Sequence, residues 1–218
     1  MNELLRFGGL AERLVLPKRE TYSSSFDYSM ELAELHVTHL REQLNIAYDS
    51  RAARDRYTCR HLFKSIVPFF TAVDEINGPF KIFCDGLGPG NMLVDPSTLR
   101  VTAVIDWEFS YTAPAPPKWL LKKRIAHWVE DEGLEATLES YVPRFNLFLQ
   151  ALEEQEAERY AGIESISGRN RLSMRMRQSL QGRTVWFNSA IRNGWSLDAL
   201  VWGVLDNHIY GKVAWARG

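Results

Sequence analysis

Between Asn77 and Phe109 the chain gives up helical periodicity, and this interruption constrains the fold more than any other feature of the sequence. Asn77-Gly78-Pro79 has the turn chemistry that stops a preceding helix. Phe80 to Cys84 is a short apolar run, and a glycine-rich loop from Gly86 to Gly90 leads on to Asn91. Met92-Leu93-Val94 and Val101 to Ile105 have strand character, with Asp95-Pro96-Ser97-Thr98 as the turn between them. The segment therefore reads as a small β-hairpin set among helices.

The flanks are helical. Met30, Ala33, Val37, Leu40, Leu44 and Ala47 recur at three- and four-residue spacing, one face of an amphipathic helix. Leu62, Ile66, Phe69 and Val73 repeat the pattern. Beyond Pro117, Leu134, Leu138, Tyr141, Phe145, Phe148 and Leu152 hold the same spacing, with Pro143 expected to kink or divide that helix. Two further helices are predicted over 172–192 and 196–210. The order predicts an α+β fold that is predominantly α-helical. A chain of 218 residues, 45% hydrophobic and 24% charged, has room for one domain or one and a half.

Composition excludes some partners. A formal charge of −1 gives no global attraction to nucleic acid or to an acidic membrane surface. No apolar run approaches the roughly 18 residues of a membrane span, and charges interrupt the leucines of the N-terminus. Two cysteines, Cys59 and Cys84, do not make a disulfide framework, so a reducing, cytoplasmic setting is expected.

The chemistry concentrates on the hairpin. Asn91 leads directly into one strand and Asp106 stands at the exit of the other, so pairing of the strands should bring the two together. Each also has a plain structural use, as a turn cap or a strand terminator. Together they offer an amide oxygen and a carboxylate, hard ligands suited to Mg²⁺ that keeps its waters and bridges phosphates. Glu108 reads equally as a supporting carboxylate or an exposed loop acid, and Asp95 as a turn residue. His36 and His39 lack the pattern of a metal site, so packing or surface roles are expected. Arg169, Arg171, Arg175, Arg177 and Arg183 alternate with apolar residues and read as a solvated face or a patch near an anionic substrate. Tryptophans 119, 128, 186, 195, 202 and 215 read as core anchors.

Cys84 to Asp95, followed by Ile105-Asp106-Trp107-Glu108-Phe109, resembles the catalytic and metal loops of the aminoglycoside phosphotransferase and choline kinase-like group, fungal-type members in particular. Leu172 to Ser179 and Gly182 to Phe187 are similar to the group's last helices. The resemblance covers about residues 28–211. It implies the large, C-terminal lobe of a protein-kinase-like fold over 28–218, with 1–27 a lead-in segment or the remnant of a missing small lobe. It further implies ATP and Mg²⁺ as cofactors, a small-molecule hydroxyl as acceptor, and Asn91 and Asp106 as the metal ligands. In that group the catalytic Asp stands five residues before the Asn, where this chain has Gly86; Asp85, one residue earlier, is the candidate base. Glycine cannot accept a hydroxyl proton, so a non-catalytic, pseudokinase-like binding module or a truncated gene product is the alternative expectation. Neither a Gly-rich phosphate hairpin nor a strand lysine paired with a helix glutamate precedes residue 80. Apolar surface left uncovered by the small lobe would favour self-association.

Overall fold

A computed structural model of the chain describes residues 21–43, 47–71, 76–78, 80–84, 87–108, 110–113, 125–161, 171–194, 196–206 and 209. It is mostly helical, with two small antiparallel strand pairs, so the α+β class holds at that level.

Helix α1 spans Ser25–Glu42 and α2 spans Ser50–Phe70. Both begin on side-chain caps: Ser24 Oγ accepts from Asp27 N (3.3 Å) and Asp49 Oδ1 from Ala52 N (2.7 Å), which satisfies amides that the first turn leaves without partners. The apolar spacing that carried the first helix as far as Ala47 overruns it. Gln43 is the cap residue with an extended backbone, Ala47 is non-helical, and Leu44 lies outside the described residues. In α2 the buried face is Cys59, Phe63, Ile66 and Val67, whereas Phe69 is 71% exposed. The predicted stripe through Leu62, Ile66 and Phe69 is thus turned by about one residue, and Val73 lies outside the described residues.

Helix α3 (Ile125–Arg159) corrects another expectation: its interruption falls at Gly133 (φ 84°, ψ 166°) and not at Pro143, which sits inside the helix. Proline's fixed φ is compatible with a helix, and its missing donor falls on an exposed turn where water can satisfy the freed carbonyl. The positive φ, by contrast, is cheap only for glycine. The buried Thr137 hydroxyl donates to the Gly133 carbonyl (2.8 Å) across the break. The single helix expected over 172–192 is two: α4 (Leu172–Gln181) and α5 (Thr184–Arg192), divided at Gly182 and at Arg183 in the left-handed region (φ 63°). The last helix opens as α6 (Leu197–Leu200) and continues as a π-helical turn, Val201–Leu205. Helix α4 has no cap of its own. Glu156 of α3 supplies one: its carboxylate accepts from Leu172 N (2.7 Å), Ser173 N (3.3 Å) and the Ser173 hydroxyl, placing negative charge at a helix N-terminus.

These helices share one core. Phe63 and Phe70 of α2 stack on Phe187 of α5, with centroids 5.2 and 4.8 Å apart. Among the described residues Trp186, fully buried, is the largest core side chain, and Trp202 is partly buried against the same cluster. The side chains of Trp119, Trp128, Trp195 and Trp215 lie outside the described residues.

His36 takes a packing role. It is 1% exposed, its Nε2 lies 2.8 Å from the Ile191 carbonyl, and its ring meets Phe63 edge-on. Burial, with Arg60 and His39 nearby as further positive charge, pushes its pKa down to about 4 from 6.5. The unfolded chain then takes up a proton below pH 6.5 that the folded state refuses, so stability falls as pH drops from 6.5 towards 4 and levels off below. The loss expected from this residue is about 3 kcal/mol at 1.4 kcal/mol per unit. Urea midpoints from pH 7 to 4 should show a slope in the native chain that His36→Gln lacks; equal slopes would remove His36 as the cause.

The strands follow a nested plan. β1 (Lys81–Cys84) pairs antiparallel with β4 (Ser110–Ala113), and inside that pair β2 (Met92–Val94) pairs antiparallel with β3 (Val101–Val104). The inner hairpin is the one expected from the sequence. The outer pair, Lys81↔Ala113 through Cys84↔Ser110, is an addition; the β-branched and aromatic character of Ser110-Tyr111-Thr112 is its sequence signal.

Candidate functional site

The inner hairpin delivers Asn91 and Asp106 to one place. Gly88-Pro89-Gly90-Asn91 closes a 3₁₀ turn with Asn91 N donating to Gly88 O (2.9 Å), proline at its first position. Asn91 thereby enters β2 in fixed orientation. Across the ladder Met92 faces Val104, and Ile105 N donates to Asn91 O (2.9 Å), which extends the pairing one residue beyond the strands. The Asn91 amide Nδ2 then donates to Asp106 Oδ2 at 2.9 Å. A β-bulge lies farther along, where Val94 faces Val101 and leaves Thr102 as the extra residue. Its hydroxyl donates to Leu93 O (3.1 Å). The bulge leaves the register at the Asn91 end intact.

Asp106 has a left-handed backbone (φ 64°). For a non-glycine residue that conformation costs about 1–2 kcal/mol, with Asp and Asn among the residues that bear it best. It persists because neighbouring bonds hold it. The Cys84 thiol donates to Asp106 O (3.4 Å), and Trp107 Nε1 donates to Val104 O (2.9 Å) across the turn. Ser110 N donates to Trp107 O (3.1 Å) as β4 begins. Asp106 and Glu108 are both exposed, and no hydrogen bond joins Glu108 to the pair among the described interactions. The carboxylate oxygens of exposed Asp106 and the amide oxygen of half-buried Asn91 are hard donors. That donor set fits Mg²⁺, which takes one or two protein oxygens and completes its octahedron with water and phosphate. Among the described residues no group of three or more His, Cys, Asp or Glu is arranged to hold a metal ion.

Asp85, the candidate base, and Gly86 lie outside the described residues. Asp95 is tied into its own turn: its Oδ1 accepts from Ser97 N (2.7 Å), Ser97 Oγ (2.6 Å) and Thr98 N (3.2 Å), bonds that hold its pKa below the ordinary value. Of the arginines, Arg177 pairs with Glu153 (2.7 Å) on the helical surface, and Arg169 lies outside the described residues. The contact missed by sequence reasoning is that of Cys84 with Asp106; the pairing of β1 with β4 produces it, and the Phe80 to Cys84 run was its one signal.

The hairpin is also strongly apolar on its surface. Ile82, Leu93, Val94, Val101, Ile105 and Trp107 are all exposed, Ile82 by 75%. A groove of about 430 Å³ lies elsewhere, between α1 and α2, lined by Val37, Leu40, Arg41, Asp49 and Tyr57 among others. None of the hairpin residues line it. No described helix is long and apolar enough to cross a membrane. No family model, curated protein or solved structure matches the chain.

Proposed function

We propose that the chain is a kinase-like phosphotransferase homologue whose hairpin holds Mg²⁺, the ancestral reaction being ATP-dependent phosphorylation of a small-molecule hydroxyl. The observation that carries this reading is the 2.9 Å approach of Asn91 Nδ2 to Asp106 Oδ2 at the mouth of the hairpin. Two oxygen-bearing side chains brought side by side, Asn91 half-buried and Asp106 exposed, support the arrangement the sequence motifs imply. Asp106 and Asn91 would hold the metal, which when bound neutralises charge on the transferred phosphoryl group. The left-handed turn at Asp106 fixes the carboxylate towards Asn91, so little ordering remains to be done on binding. Asp85 is the candidate base, since Gly86 cannot accept a proton.

Thermal-shift titration tests the reading. Mg²⁺-ATP should stabilise the folded chain, by about 2.7 kcal/mol at a hundredfold excess over the dissociation constant. No shift at millimolar Mg²⁺-ATP would remove it.

A second reading is favoured by the exposed apolar hairpin and by Gly86: a non-catalytic module that binds or self-associates through this face. It expects no transfer of the γ-phosphoryl group whether or not nucleotide binds. Its signature is concentration-dependent association in sedimentation, weakened by Trp107→Ser.

A further inference from the structure

We propose that Cys84 is a positioning residue for the Asp106 carboxylate, its thiol holding the left-handed peptide from which that carboxylate meets Asn91. The metal-binding consequence rests on the phosphotransferase reading above; the positioning itself rests on geometry alone.

Cys84 is the last residue of β1 and faces Ser110, the first of β4. The link between β3 and β4 that carries Asp106 must therefore pass close to the end of β1. The inner hairpin fixes the other side of the link, through Ile105 N to Asn91 O. Asp106 is thus held from two directions. Asn91 grips its side chain at Oδ2 (2.9 Å), and Cys84 grips its main-chain oxygen (3.4 Å). A left-handed Asp in an exposed link can relax to an extended conformation, and that rotation would swing the carboxylate away from Asn91. The thiol opposes the rotation at the peptide oxygen. Cys84 is half-buried and Asp106 exposed, so water competes for this bond. A thiol is a weak donor, and the effect should accordingly be modest and specific.

The test compares Cys84→Ala, which removes the donor, with Cys84→Ser, which restores one in the same place. The first readout is NMR of the Asn91 side-chain amide and the Asp106 Cα, whose shifts report the grip and the left-handed backbone. The second is Mn²⁺ affinity by water-proton relaxation, with Mn²⁺ standing in for Mg²⁺. Cys84→Ala should move both resonances and weaken Mn²⁺ about fivefold, the equivalent of one net hydrogen bond. Cys84→Ser should recover both. Unmoved resonances in Cys84→Ala overturn the proposal, whatever the metal does. So does failure of serine to recover them, which would make the sulfur a matter of packing. Resonances that move while Mn²⁺ affinity stays constant also overturn it, because the carboxylate would then need no positioning. If the native chain binds no Mn²⁺ while the resonances respond and recover, the positioning stands and the phosphotransferase reading falls.

Discussion

Asp106→Asn is expected to abolish the Mg²⁺-dependence of ATP binding while leaving the fold intact. The substitution is chosen to remove charge and little else. Asparagine tolerates the left-handed backbone at this position, and its amide oxygen can still accept from Asn91 Nδ2. The side chain is exposed, so stability should change by about 0.5 kcal/mol or less. Affinity for Mg²⁺-ATP, by contrast, should fall about a hundredfold, since changes to groups that merely orient a metal ligand already cost roughly 10–100-fold. Calorimetric titration with Mg²⁺-ATP, and with ATP plus a chelator, separates the two contributions. Equal affinity of native chain and variant for Mg²⁺-ATP would show that the hairpin carboxylate holds no metal. An accompanying fall in melting temperature would instead mean that the left-handed turn had been lost.

Asp198→Ala should be the most damaging single change among the charged residues of the helical core. Arg60 is 2% exposed, and its Nη1 donates to Asp198 Oδ1 at 2.7 Å and to the Arg56 carbonyl at 3.2 Å. Without Asp198 the guanidinium stays buried with its charge uncompensated, which costs about 3–5 kcal/mol. For a chain of this size that is a fall in melting temperature of the order of 10 °C. The same carboxylate sits beside Cys59, and burial together with that charge pushes the thiol far above its ordinary range, so Cys59 stays protonated and inert. Arg60→Met should cost less than Asp198→Ala, because the partly exposed Asp198 keeps Arg56 at 3.7 Å and has access to water. The double variant Arg60→Met, Asp198→Leu should recover much of the loss, as apolar replacement of a buried pair usually does. A loss below about 1 kcal/mol in Asp198→Ala would mean that Arg60 finds another partner or reaches solvent.

The hairpin was legible because its information is local. Turn residues at Asp95 to Thr98, apolar runs on both sides and an Asn and Asp at matching ends determine the pairing over a few residues. The Asn91–Asp106 contact follows from that register. Fold class was legible for a related reason: three- and four-residue spacing says that a helix has an apolar face. It does not say where the helix meets its neighbours. In α2 two stripes one residue apart, Leu62-Ile66-Phe69 and Cys59-Phe63-Ile66-Val67, have nearly equal claims, and Phe187 stacking on Phe63 and Phe70 selects the second. Pro143 is a conspicuous breaker, yet Gly133, with its positive φ, makes the break.

The sequence by itself determined a mostly helical chain interrupted by a small hairpin, and placed an amide and a carboxylate at its mouth. Those features depend on residues close together in the sequence, so spacing and turn chemistry are enough to read them. The tertiary structure alone decided what supports them. Cys84 reaches Asp106 over 22 residues, Arg60 reaches Asp198 over 138, and His36 reaches the Ile191 carbonyl over 155. No spacing rule encodes such separations, because each partner is selected by how helices and strands pack. The physical reason is burial. An arginine or a histidine has no fixed role until its surroundings remove it from water and leave one partner within reach; Cys84 is instead placed by the pairing of β1 with β4.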